Sequence, residues 1–111
     1  MKLVTIKYCP NEAKQKGSSF KNRTKKLTNI VYFFYENDTC LYVGETGCTL
    51  YKRCFANTPK EADKEWFNEG NTVYIIQLDK KEGEDDKVVS RRRRAVEALF
   101  IVTNSPKYNK K

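Results

Sequence analysis

Residues 30–44 constrain this chain more than any other stretch. Ile30-Val31-Tyr32-Phe33-Phe34-Tyr35 is β-branched or aromatic at every position, a composition that fits a pleated, half-buried strand. Glu36-Asn37-Asp38-Thr39 is a turn cluster, and residues 40–44 make a second short strand. Together they predict an antiparallel hairpin. Strand alternation puts Ile30, Tyr32 and Phe34 on one face. Tyr42 lies on the neighbouring strand, so the two phenols can approach across the hairpin.

The other elements are arranged around this pair. Gly44 and Gly47 bracket a tight loop, and Thr49 can cap a helix over residues 50–57. Pro59 suits the first turn of a further helix that runs through Trp66 to Glu69 and stops at Gly70. Residues 72–78 read as a third strand. The last helix starts near Glu84-Asp85-Asp86, whose charges suit a helix N-terminus, and runs to about Thr103, before Pro106. Val88, Ala95, Leu99 and Val102 fall on one side at helical spacing and are expected to face the sheet. Leu3, Val4 and Ile6 make a short strand candidate stopped at Pro10, and residues 11–29 read as a polar, basic loop that orders on binding. The succession predicts an α+β domain over residues 30–111, a three-stranded antiparallel sheet flanked by helices, behind a basic arm of residues 1–29. At 111 residues the chain supports one domain with a single core.

Charge is unevenly placed. The formal net charge is +8, and residues 1–29 hold eight Lys/Arg against one Glu. Residues 30–111 hold fourteen against thirteen acids, a balance of +1. A basic arm on a balanced core points to polyanions, nucleic acid first; the plainer reading is a solvated tail. No run of eighteen apolar residues is present, which argues against a membrane partner. The first residues carry a Lys without an apolar core, unlike a secretory signal, so a cytoplasmic place is expected, or a nuclear one in a eukaryotic or viral host.

There is no His. That removes Ser-His-Asp and Cys-His catalysis and the usual neutral-pH base. Cys9, Cys40, Cys48 and Cys54 include no Cys-x-x-Cys pair, so neither a zinc site nor a disulfide framework is expected.

Five pieces stand in a telling order: Ile30-Val31-Tyr32; Tyr42-Val43-Gly44; Arg53 eleven residues after Tyr42; Glu97 within Ala95-Val96-Glu97-Ala98-Leu99-Phe100-Ile101; and Pro106-Lys107-Tyr108-Asn109. This set resembles the GIY-YIG nuclease family over residues 30–109. The sequence departs from the family's pattern where Ile30 replaces a Gly, where Glu45 follows Tyr-Val-Gly, and at Asn57, four residues after Arg53.

The resemblance implies an endonuclease that hydrolyses DNA phosphodiester bonds, with Mg²⁺ or Mn²⁺ as cofactor. It gives Tyr32 the part of general base, Tyr42 that of positioning, Arg53 the scissile phosphate, Glu97 one divalent metal, and Asn109 support of the Glu or a water. A Tyr base needs a lowered pKa. The planar fork of Arg53 suits phosphate oxygens better than Lys52 does. Glu97 is the only charge in residues 95–102, and burying a lone carboxylate is costly unless a cation compensates it. The plainer reading of Glu97 is an exposed helix position paired with Arg93, four residues earlier. Of the four arginines 91–94, one or two can touch a DNA backbone, because four consecutive helical residues cannot form one patch.

Expected nucleic-acid contacts are Lys21, Arg23, Lys25 and Lys26 in the arm and Lys52 beside Arg53. The expected partner is double-stranded or branched DNA, with the protein a monomer or homodimer. A small stand-alone nuclease of a phage or mobile element, or a restriction-type enzyme, fits this size. The alternatives are a catalytically inactive member of the family that binds nucleic acid or a partner, and an unrelated small basic binding protein.

Overall fold

The computed structural model describes residues 1–109. The hairpin forms as its composition requires: β2 (Ile30–Glu36) pairs antiparallel with β3 (Thr39–Thr46). Asn37 takes the left-handed conformation in the turn (φ 52), which a short polar side chain tolerates. β4 (Thr72–Gln77) pairs antiparallel with the other side of β2.

The sheet has four strands, not the expected three. β1 (Lys2–Lys7) adds to β4 over six residue pairs, from Lys2 opposite Gln77 to Lys7 opposite Thr72, in the order β1-β4-β2-β3. The first 29 residues are accordingly not a loop awaiting a partner. They supply β1 and two short helices, α1 (Pro10–Ala13) and α2 (Ser19–Thr24), the latter capped by the Ser18 hydroxyl, which accepts from Lys21 N at 3.1 Å. Ile6, Ala13, Phe20 and Leu27 are all buried in the main core. These four apolar residues recur every seven positions among many lysines, but they sit on a strand, two separate helices and a loop, so the spacing marks no single helix or strand face. Phe20 alone packs against Tyr8, Phe55 and Phe67, with ring centroids 5.0, 6.0 and 5.6 Å away.

The sheet carries a core on each face. One holds Ile30, Tyr32, Phe34, Leu50, Cys54, Phe67, Val73 and Ile75 under the short helices. The other holds Val31, Phe33 and Val43 under α4 (Asp86–Asn104), which begins at Asp85, whose carboxylate accepts from Val88 N at 3.0 Å. α4 is turned relative to expectation. Leu99 and Val102 are 63 % and 79 % exposed, and Val88 and Ala95 are exposed too. Val89, Arg93, Val96 and Phe100 form the inward stripe instead, and Phe100 meets Phe33 edge-on at 4.9 Å. The physical reason is Arg93: a charged residue belongs to the buried face, so a search for apolar spacing alone misses that face.

The expected helices in residues 50–69 are also altered. Lys52–Ala56 is a π-helical turn closed by Asn57 N donating to Lys52 O at 2.7 Å. The expected continuous helix from Pro59 is split into a 3₁₀ turn, Glu61–Asp63, and α3 (Glu65–Glu69), with Lys64 extended between them. Asn68 Nδ2 donates to the carbonyls of Ala62 and Lys64 at 3.0 and 2.9 Å, tying the two sides of the break together. The closing segment covers part of the β3 edge, with Lys107 N and Tyr108 N donating to Cys40 O and Leu41 O at 3.1 and 2.8 Å. Among the described residues no helix is long and apolar enough to cross a membrane.

Phe20→Ala should lower unfolding free energy by about 3–5 kcal/mol in urea titration, as for any large buried aromatic. A loss below about 1 kcal/mol would mean that residues 1–29 are not part of the core.

Candidate active site

The β2/β3 register places Tyr32 opposite Gly44. The Tyr32 ring lies across that glycine: a Cβ at position 44 would stand 2.5 Å from its Cζ and hydroxyl oxygen. Tyr-Val-Gly thus ends in Gly because the neighbouring phenol occupies the space of a side chain. Tyr32 is wholly buried and donates its hydroxyl to Glu61 Oε1 at 2.6 Å. Glu61 itself is only 3 % exposed.

Electrostatics around this pair run against the expected phenolate. Burial, then the Glu61 charge, hold the Tyr32 pKa well above its ordinary value instead of lowering it. Burial also raises Glu61, opposed by the Tyr32 hydrogen bond and by the Arg53 charge. Any proton acceptor here is therefore the Tyr32–Glu61 pair, not a resting tyrosinate. Glu61 carries no sequence signal, being one of three acids in the short stretch Glu61, Asp63, Glu65.

Arg53 rises from the π-helical turn. Its Nη2 lies 4.0 Å from Glu61 Oε1. Desolvation opposes its charge, but the Tyr32 hydroxyl and the Glu61 carboxylate raise its pKa above the ordinary value. Its Nε is buried with no hydrogen-bond partner. A buried guanidinium donor without a partner is unusual, and the rest of the side chain is about a third exposed, open to an anion. Tyr42 stacks on Trp66 at 4.0 Å with the rings 7° from parallel, and its ring centroid is 6.4 Å from that of Tyr32. Its phenol is pushed up to about 12 by burial, then by the charges of Glu61 and Glu97.

Glu97 approaches from α4 on the flank of the inward stripe and is half-buried. It does not pair with Arg93. That guanidinium is buried against the Glu45 carboxylate, and also donates to Asn29 Oδ1 at 3.1 Å and Ser90 Oγ at 3.3 Å. Among the described residues Glu97 makes no hydrogen bond or ion pair. Burial, then the nearby Glu45 charge, raise its carboxyl, while Arg94, Arg53 and Arg93 draw it down. The charges of Glu97 and Arg53 also act on Tyr42, the first raising and the second lowering its pKa.

Asn109 sits differently from expectation. Its side chain accepts from Val43 N at 2.7 Å and donates to Val43 O at 2.8 Å, so it clamps the backbone between Tyr42 and Gly44 instead of holding Glu97. The expected phosphate contacts are dispersed. Lys21 and Lys25 lie over the rings of Phe55 and Tyr51, each 4.8 Å from the centroid, fastening α2 to the turn that carries Arg53. Arg23 donates to Thr5 O at 3.4 Å, and Lys26 and Lys52 are exposed. Sequence reasoning missed Glu61, Trp66 and Arg93. Only Arg93 had a signal, the 89, 93, 96, 100 spacing.

Among the described residues no group of three or more Cys, Asp or Glu side chains is gathered as a metal cage. A cation held by Glu97 with water and phosphate oxygens needs no such cage, and an unpaired, half-buried carboxylate is chemically suited to it. No family model, no curated protein and no solved structure matches the chain.

Two outcomes test this geometry. Gly44→Ala forces the Tyr32 ring aside and should cost about 1–3 kcal/mol in urea unfolding; an unchanged midpoint would refute the close approach. Glu97, with its carboxyl raised in the fold, contributes stability that is fully present below its ordinary value of 4.5 and lost as pH rises through the raised value. Glu97→Gln should therefore melt above the natural protein at pH 7, with the gap closing towards pH 4. A lower Tm for the variant at pH 7 would contradict an uncompensated carboxylate.

Proposed function

We propose that this protein is a metal-dependent endonuclease of the GIY-YIG type that hydrolyses DNA phosphodiester bonds. What supports the reading is the gathering of Tyr32, Tyr42, Arg53 and Glu61, far apart in sequence, with the charge of Glu97 from α4 acting on Tyr42. Around them lie the ingredients of phosphoryl hydrolysis: a proton acceptor, a guanidinium loosely paired with Glu61, and a carboxylate without an ion-pair partner.

In this mechanism Arg53 receives the scissile phosphate on the exposed part of its guanidinium, whose charge opposes the negative charge that develops on the equatorial oxygens. The attacking water gives a proton to the Tyr32 oxygen as Tyr32 passes its own to Glu61 Oε1, so no phenolate has to stand alone. The phosphorus–oxygen bond to the leaving group breaks, and that oxygen is protonated from solvent. Tyr42, held flat by Trp66, positions the reacting groups. Glu97 would hold Mg²⁺ or Mn²⁺, which when bound supplies charge stabilisation for the displacement. Of the basic residues expected at the phosphates, the exposed Lys26 and Lys52 would add sequence-independent contacts.

The complete burial of Tyr32 favours a second reading, a binding module of the same build that does not cut. One experiment separates the two. Supercoiled plasmid with Mg²⁺ or Mn²⁺ should be nicked by the natural protein, and Arg53→Ala, Glu97→Ala and Glu61→Gln should each reduce the rate by at least about 100-fold. Absence of nicking by the natural protein, with salt-sensitive DNA binding intact, would select the binding module.

A further inference from the structure

The four consecutive arginines of α4 do not share one environment. Arg92 pairs with Glu84 and donates to Asp79 O at 3.3 Å. Arg93 is buried on Glu45. Arg91 and Arg94 are exposed and, with the exposed Lys87, have no hydrogen bond or ion pair among the described residues. These three cations line one shallow groove with Ser90 and Asp86. Asp86 is the only acid lining it, and its carboxylate is engaged by Lys80 at 3.3 Å.

Positions 87, 91 and 94 are spaced to fall on one helical face, and the stripe is about 10 Å long at the α-helical rise. Arg94 lies one turn before Glu97, and of the cations acting on that carboxyl its charge draws it down most. The stripe thus ends beside the candidate site. Three cations against one groove acid, itself paired with Lys80, leave a net positive footprint for a polyanion.

We infer that Lys87, Arg91 and Arg94 form a track for the DNA phosphate backbone that leads along the outer face of α4 to the hairpin-end site. The inference rests on the nuclease reading for its destination, but its test does not depend on cleavage. The track lies outside the N-terminal segment, where most of the chain's basic excess is found. It makes phosphate contacts only, so it contributes affinity and direction without base readout.

The test is fluorescence anisotropy of a labelled mixed-sequence duplex of about 20 base pairs across a salt series, using the full chain. Lys87→Ala and Arg91→Ala should each reduce the slope of log K against log salt by about 0.9, and the double variant by about twice that. A charge-matched control, Lys7→Ala with Lys16→Ala, should leave the slope nearer that of the natural protein. All four side chains are exposed, so the variants are expected to keep their fold, with Tm as the check. Equal slopes for track and control variants would overturn the track and leave the nuclease reading standing. Slopes that respond to the track, in a protein that never nicks plasmid, would support the track and remove the nuclease reading. No binding of duplex by the natural protein would remove both.

Discussion

Residue 44 must be glycine for Tyr32 to lie where it does. The ring fills the volume of a side chain on the partner strand, and the β2/β3 register is therefore locked at this pair. A slip by one residue would drive the phenol into a Cβ and turn every side chain of β2 to the other face. With that register set, the Tyr32 hydroxyl reaches Glu61, Arg53 stands beside both, and Tyr42 lies next to them under Trp66. The Asn109 clamp on Val43 holds the same strand from its other edge.

A second constraint sets the opposite face. Glu45 points to α4, and burying its carboxylate beside apolar residues is tolerable only with a partner. Arg93 supplies it, and Gly47 leaves room for the guanidinium, since a Cβ there would come within 3.3 Å of it. This ion pair fixes the rotation of α4. Glu97 is then carried to the flank of the inward stripe, half-buried and without a counter-ion, while Arg91 and Arg94 are carried outward. One buried pair thus decides which charges of the helix are available to a ligand and which are consumed by the fold.

The two faces meet in an unequal distribution of charge. Glu61, Glu45 and Glu97 all lie near the hairpin end, and Arg53 and Arg93 answer them only in part. Low exposure strengthens these interactions relative to water. Tyr42 and Tyr32 stay protonated as a result.

Composition and spacing determined the hairpin, a further strand at residues 72–78, the acidic start of α4 and the order of Tyr32, Tyr42, Arg53 and Glu97, because strand propensity and helix caps are local. The strand at residues 2–7 was also legible, but its membership of the sheet was not, since pairing with β4 joins residues some seventy positions apart. The burial of Phe20 and Leu27 was not legible either, because their seven-residue spacing with Ile6 and Ala13 runs across separate elements. Glu61 as the partner of Tyr32, and Arg93 as a member of the apolar face of α4, were decided only by tertiary structure. A charged residue reads from its sequence as solvated; whether it is buried depends on an opposite charge or a donor that another part of the chain brings to it.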